Sequence, residues 1–481
     1  MEATSHDIAI VGAGLSGSAL AIQLARRMPK DARIVLIGRP DETGRGLAYR
    51  DGNPDLLLNV PAERLSIDPD DPGAFVRWLA ENSARHPPGS FACRADYGRY
   101  VHGALMAAIA AAAGRVELVE GTVAAITPAT DAFDIRLASG GRFRAARVAL
   151  CLGNPPPQFR IADRAIEPAA HGRMIADPWN DPRMQRIAAD DRVLLVGAGL
   201  TMVDQILTLR RNGHAAAIVA VSRHGRLPAT HAASASAPVR LELAEAKGRL
   251  LAVFRMVAKA ARAAEAAGED WRAIIDGLRP ATQEIWQAFT IAEQRRFLRH
   301  VESYWAVVRH RMAPAIADRV AEVRSGGTVE VAAGRVVAVR AAGEFVTAAI
   351  RDRRTRLVRI RPFEWIVNCT GPGRFPSLAA NPAVAGLVAA GLARPDPLAV
   401  GLDVDADCRV VSRTGQTSTR LFAVGPITAG RFWESTAVAE IRQQASALAA
   451  RLAGGADHRE IAAAPVAIRP PGAVRRPSSP R

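Results

Sequence analysis

The chain has 481 residues, too many for one hydrophobic core, so two or three domains are expected, and 49% hydrophobic residues suffice to build them. The formal charge of +16 comes from arginines, since only Lys30, Lys247 and Lys259 are lysines; they are scattered, with no basic helix or aromatic platform, which argues against a nucleic-acid partner. Cys93, Cys151, Cys369 and Cys408 show no metal-ligand or disulfide spacing, the opening "MEATSHD" has no basic leader, and no apolar run is long enough to span a bilayer, so a cytoplasmic protein without a metal is expected.

In chain order, residues 6–40 read as strand, glycine turn, helix and strand, and residues 98–113 as an alanine-rich helix. Short strands over 115–152 end in "CLGNPPP", whose prolines stop the strand and mark a crossing between domains. Residues 191–222 repeat strand, glycine turn, helix and strand. Residues 240–320 read as helical, with apolar spacing at Ile285, Phe289, Ala292 and Phe297. Strands resume over 328–368, and 420–453 read as strand, turn and long helix. The fold class is therefore α/β, with two Rossmann-like dinucleotide-binding domains and a helical segment. The expected division is an FAD-binding domain over 1–160 that returns at 369–455, an NADPH-binding insert over 161–235 and 325–368, a helical segment over 236–324, and a disordered Pro/Arg-rich tail over 456–481.

Two glycine turns carry the functional signal. Gly12, Gly14 and Gly17 satisfy G-x-G-x-x-G directly after a strand and before a helix, with Leu15 and Ser16 at the helix start. In that context the glycines allow a tight turn, close approach of a pyrophosphate and close helix–strand packing, while the helix N-terminus supplies amide donors. The acid that normally ends the second strand is missing, because "LIGRP" places Gly38 and Arg39 there; the ribose contact is left to Asp41, Glu42 or backbone. The second turn has Gly197, Gly199 and Thr201, with Met202 in place of the third small residue. Its second strand ends in Ser222, Arg223 and His224. An arginine there pairs with a 2′-phosphate where an acid would repel it, so NADPH is expected over NADH, with Arg223 as the reader. One turn would hold FAD and the other would deliver NADPH to it.

Five stretches resemble a family of bacterial FAD/NAD(P)-binding proteins that includes flavin-dependent urate hydroxylases and aspartate N-monooxygenases. They are "GRGLAYRDGNPDLLLNVPAERLS" (44–66), "CRADYGRYV" (93–101), "GAGLTMVD" (197–204), "YWAVVRHRMAP" (304–314) and "VGPITAGRFWESTAVAEIRQQA" (424–445). The chain is more distantly similar to N-hydroxylating flavin monooxygenases, with Glu364 and "NCTGP", including Thr370 and Gly371, at the spacing of their D-x-x-x-(L/F)-A-T-G-Y motif. The Baeyer–Villiger fingerprint is not met, since Trp179 follows His171 at the wrong distance. The resemblance implies that Gly46 and the 44–66 segment run along FAD, with Asn59 and Val60 near the flavin ring, and that Gly425 and Pro426 return to the flavin; Gly153, Thr370 and Gly371 are further cofactor-binding candidates. It also implies that Trp433 and Glu434 sit on a helix N-terminus aimed at the ribityl chain or ring, with Glu434 alternatively a cap of that helix.

A disulfide-reducing flavoprotein would need a reactive cysteine pair by the flavin, and residues 38–75 contain none. Cys151 and Cys369 read as core. The expected chemistry is that of an NADPH-using monooxygenase: reduced FAD captures O₂ as a flavin hydroperoxide that oxygenates a small polar, anionic metabolite, an amino-acid amine or urate-like ring. Such a site needs water exclusion and orientation rather than a protein nucleophile. Arg94 and the run Arg309, His310, Arg311 are candidates to grip the substrate, against a solvated helix face for the run; Trp286 and Trp305 read as core. The other readings are an NAD(P)H-dependent flavin oxidoreductase serving a quinone or protein partner, and a non-catalytic flavin redox sensor. The assembly considered is a homodimer.

Overall fold

The computed structural model describes residues 5–50, 52–83, 87, 89–232 and 236–454; the expected tail over 456–481 lies outside them. Fifteen strands are present among these residues: β1 (Ser5–Val11), β2 (Ile34–Gly38), β3 (Val116–Glu120), β4 (Val123–Pro128), β5 (Phe133–Leu137), β6 (Arg142–Leu150), β7 (Met174–Ile175), β8 (Val193–Val196), β9 (Ile218–Ser222), β10 (Val329–Ala342), β11 (Phe345–Asp352), β12 (Val358–Phe363), β13 (Trp365–Asn368), β14 (Arg409–Val411) and β15 (Thr417–Ala423). They form two sheets. The first has the order β14-β15-β6-β1-β2-β3, with β4 and β5 attached beside β6. The second has the order β12-β11-β10-β9-β8-β13-β7. The chain leaves the first sheet after β6, builds the whole second sheet, and returns for β14 and β15. This is the expected α/β class with two Rossmann-like units.

Both sheets are parallel at their centres, and their central strands are buried on both faces, as continuous runs such as "IAIV" and "VLLV" require. The helix Leu15–Arg27 is buried at every position from Leu15 to Ala25. It lies between the first sheet and the helices Arg94–Ala111 and Val438–Ala453, which is why its sequence is apolar all round without being a membrane span. No helix among the described residues is long and apolar enough to cross a membrane.

The region read as helical breaks into short helices, from Leu250–Ala266 through Glu302–Arg309, joined by tight turns. Leu250, Trp286, Phe289, Phe297 and Leu298 form their core, and Trp433 packs against it from the returning chain. The next helix, Pro314–Ser325, instead places Ile316 and Val320 in the core of the second sheet.

The two sheets are tied through residues 53–58. Leu56 is buried in the core under the helix Leu200–Arg211. Asn53 Nδ2 donates to Thr208 Oγ1 at 3.2 Å, and Asp55 pairs with Arg211 at 3.2 Å and Arg319 at 2.8 Å. Arg94 makes the strongest tie. Its guanidinium meets Asp204 through two parallel bonds of 2.7 and 3.0 Å, and its Nε donates to Leu57 O at 3.1 Å. The side chains are 15% and 8% exposed. Removing one partner of such a pair leaves a buried, uncompensated charge, so Arg94→Ala is expected to cost about 3–5 kcal/mol, read from the urea unfolding midpoint of the FAD-loaded protein. A loss below about 1 kcal/mol would place the pair with exposed surface bridges.

Candidate functional site

The two glycine turns are built to one plan. Gly12 N donates to Ile37 O at 2.7 Å, and Gly197 N to Val221 O at 2.8 Å. Cys151 N donates to Val11 O and Cys369 N to Val196 O, both at 2.8 Å. Gly12 (φ +105°) and Gly197 (φ +122°) press against the carbonyls of those cysteines, where an added Cβ would lie 2.3 and 2.1 Å from the oxygen. Each cysteine is followed two residues on by a left-handed glycine facing open space, Gly153 (φ +68°) and Gly371 (φ +85°). Gly199 also faces open space, and Gly14 is met only by the backbone of Gly46. Open backbone at the second glycine of a turn, ahead of a helix N-terminus, is what a pyrophosphate requires. The residues thus fit a dinucleotide at each turn.

The turns differ at the third position. A Cβ on Gly17 would sit 1.8 Å from Gly12 O, so nothing larger fits. Met202, at the matching place, is fully buried in the core below its helix. Leu15 and Ser16 are buried, and Thr201 is half-buried. A Cβ on Gly425 (φ +87°) would lie 2.2 Å from Ser16 Oγ, so the turn Gly425–Pro426 closes directly on the first glycine turn. Val60 packs at the edge of the first-sheet core, and Asn59 O accepts from His231 Nε2 at 2.9 Å.

The missing ribose acid has a steric cause. A Cβ on Gly38 would lie 2.3 Å from Ala13 Cβ and 2.7 Å from Ala13 N. The nearby acids are engaged elsewhere: Asp41 pairs with Arg39 at 3.0 Å and Arg50 at 2.8 Å, and Glu42 lies 3.5 Å from both arginines.

At the end of β9, Arg223 lines a cavity of 210 Å³ with Gly334, Arg335, Arg351, Asp352, Arg353 and Arg356. Sequence reading had named one arginine here; the hairpin of β10 and β11 brings four more from over a hundred residues away, a pairing no local pattern announces. Burial and then Arg353, Arg223 and Arg226 hold the His224 imidazole below its ordinary range, so it stays neutral among these cations.

Several expected roles are corrected. Arg94 does not present a free guanidinium to a substrate, because Asp204 holds it. The signal for this partner was an acid set in the apolar run "TMVDQIL". Arg309, His310 and Arg311 are neither a grip nor a solvated face. Arg309 is 9% exposed and reaches Glu434 from Nε and Nη2, both at 3.0 Å, and Arg311 is 3% exposed and pairs with Asp276. His310 caps the C-terminus of its helix, and burial lowers its pKa, so its ring is neutral. Residues 433–436 do not begin a helix; that helix starts at Val438 with Ala437 as its N-cap. Glu434 is not a cap. Its backbone is left-handed (φ +63°), and its carboxylate accepts from Trp305 Nε1 at 2.7 Å as well as from Arg309. Trp433 stacks on Trp286 at 4.7 Å, and Trp286 Nε1 donates to Gly430 O at 2.9 Å. Glu364 sits at the start of β13, at the end of the strands away from Gly197, paired with Arg192 at 2.6 Å. Cys151, Cys369 and Cys408 are buried, which pushes their thiols up and keeps them protonated.

With this geometry in hand, residues 9–155 match a family model described as FAD-NAD(P)-binding. No curated protein matches the chain. The fold is that of solved two-domain flavoproteins. Ornithine hydroxylase from Pseudomonas aeruginosa, in its reduced form, superposes with a TM-score of 0.63 at 15% identity, over 94% of this chain and 99% of that one. Ornithine N-hydroxylase from Kutzneria sp. 744, whose structure carries reduced FAD, NADP⁺ and L-orn, gives 0.57 at 15% identity over 93% and 99%. Thioredoxin reductase from Lactococcus lactis gives 0.52 at 13% identity over 93% and 99%.

The contact of His231 with Asn59 has a pH signature. Burial, then the Arg311 charge, holds the His231 imidazole down to about 4, from 6.5. Below pH 6.5 the unfolded chain takes up a proton that the folded protein refuses, so this contribution to stability is complete above pH 6.5 and is lost as pH falls toward 4. His231→Gln keeps a donor for Asn59 and removes the titration. Its unfolding midpoint should fall less steeply over that window than that of the parent, and identical slopes would mean that His231 does not carry the effect.

Proposed function

We propose that the chain is an FAD- and NADPH-dependent monooxygenase that oxygenates a small polar, anionic metabolite, an amino-acid amine or urate-like ring. The observation that carries this reading is the pair of glycine turns built to one plan on two sheets of one chain, the first within the FAD-NAD(P)-binding match and the second ending in an arginine cluster. Arg223, Arg335, Arg351, Arg353 and Arg356 give the second turn the charge a 2′-phosphate needs, where an acid would select NADH. Gly12, Gly14, Leu15, Ser16 and Gly17, with Gly46, Gly153, Gly425 and Pro426, would hold FAD; Gly197, Gly199, Thr201, Thr370 and Gly371 would hold the pyrophosphate of NADPH. Asn59 and Val60 would face the flavin ring.

FAD, when bound, supplies hydride acceptance and oxygen activation. The chain's share is to bind, orient and exclude water. Glu434, Arg309 and Trp305 brace the 433–436 segment against the helical region, which closes that side to solvent. Arg94, Arg309 and Arg311 are committed to internal pairs and do not hold the substrate's anion. A disulfide reductase is disfavoured by the protonated, buried cysteines and by their absence from 38–75.

The test is NADPH oxidation by the FAD-loaded protein in air with ornithine, lysine, aspartate or urate, scoring hydrogen peroxide against NADPH consumed. A monooxygenase shows substrate-stimulated NADPH use with peroxide well below one per NADPH. Fast quinone reduction, with all oxygen returned as peroxide, would make the protein a flavin oxidoreductase. FAD binding with no turnover would make it a sensor. Arg223→Ala should raise the NADPH KM about tenfold, ~1.4 kcal/mol, and leave NADH unchanged; equal effects on both would remove Arg223 as the phosphate reader.

A further inference from the structure

A cavity of 410 Å³ lies at the seam of the two sheets, away from both glycine turns. Gln205, Thr208, Leu209 and Asn212 line it at spacings of three, four and seven residues, which is one face of the helix Leu200–Arg211 and its C-cap. Such a polar stripe reads in sequence as a solvated face. Here it is covered by Gly52 and Asn53 from the first-sheet side and by the loop carrying Pro178, Trp179, Asp181 and Met184. A volume in this range is that of a small-molecule site.

Gln205 is the second observation. It is 2% exposed, it lines the cavity, and its carboxamide has no hydrogen-bond partner among the described residues. Its amide atoms are not sealed within the protein but open onto the cavity, within reach of a ligand. Deeper in the lining Asn53 Nδ2 donates to Thr208 Oγ1, while Gln185 and Asn212 stand at its exposed rim. The charges of the lining are neutralised within the protein, Asp181 by Arg183 at 2.6 Å and Arg211 by Asp55 at 3.2 Å.

We infer that this cavity is a binding site for a small, neutral, planar heterocycle with a lactam edge, of the nucleobase kind. One carboxamide offers one donor beside one acceptor, and a cyclic –CO–NH– edge answers both. The pairing uses the same amide fork that reads base edges elsewhere. Trp179, Met184, Leu209 and Pro178 supply apolar walls for the ring faces. An ion would find no free countercharge in the lining. The ligand would touch both halves of the molecule and would bind with FAD and NADP⁺ already in place.

The experiment is calorimetric titration of hypoxanthine into the FAD-loaded protein under saturating NADP⁺, which blocks the nucleotide sites. Saturable binding is expected, weakened at least tenfold in Gln205→Leu, while the melting temperature of that variant without hypoxanthine stays level, because the amide makes no hydrogen bond within the fold. Met184→Trp, which fills the cavity from the loop, is expected to abolish binding with FAD content unchanged. No saturable binding to the parent protein, equal affinity in Gln205→Leu, or a lower melting temperature for that variant would each overturn the inference. The last outcome would mean that the amide serves the fold. None of these readouts depends on turnover, so the site can fail while the proposed oxygenase activity stands.

Discussion

A backbone carbonyl pressed against a glycine governs both halves of this protein. Gly12 rests on Cys151 O and Gly197 on Cys369 O, at distances that leave room for a hydrogen atom alone. Each contact joins the end of one parallel strand to the turn leaving its neighbour, where the order of a doubly wound sheet reverses and a crevice opens. Once the turn is seated, its helix must start there, and its first amides must face the crevice. Gly425 is pressed as closely against the Ser16 hydroxyl, which brings the returning chain onto the first turn.

The two halves work together only if they are held in register, and charge does much of that work. Arg94 and Asp204 satisfy each other across the seam, while Asp55 engages Arg211 and Arg319. The helical region is joined to the first half in the same way, through Glu434 with Arg309 and Trp305, and through Arg279 with Glu440 at 3.2 Å. Buried pairs of this sort add little net stability, yet they penalise any other arrangement heavily, because each would strand a charge. The excess of arginine in the composition is thereby accounted for in part by internal pairing, and in part by the cluster at the end of β9.

A molecule of this design suits a reaction in which the protein positions cofactors rather than supplying nucleophiles. Cys151 and Cys369 close strands and stay protonated, and His310 is neutral and half-buried. The polar seam cavity stands apart from that machinery: its unpaired Gln205 serves neither turn.

The two glycine turns, their strands and helices, and the interruption of the first half by the second were legible in the sequence, because they rest on local constraints: a glycine needed for a positive φ, apolar runs needed for buried parallel strands, and a proline run just after β6 that keeps the chain out of regular structure. The position of Arg223 just past the end of β9 was legible for the same reason. The partners of charged residues were not. Arg94, Arg309 and Glu434 looked like free groups, and Glu434 like part of a helix start, since a guanidinium or carboxylate carries no local mark of what will neutralise it. Asp204 lies 110 residues from Arg94, and Glu434 lies 125 from Arg309. Local sterics are written in neighbouring residues and can be read from them. Pairing of buried charges is a property of which surfaces meet, and only the tertiary structure decides that.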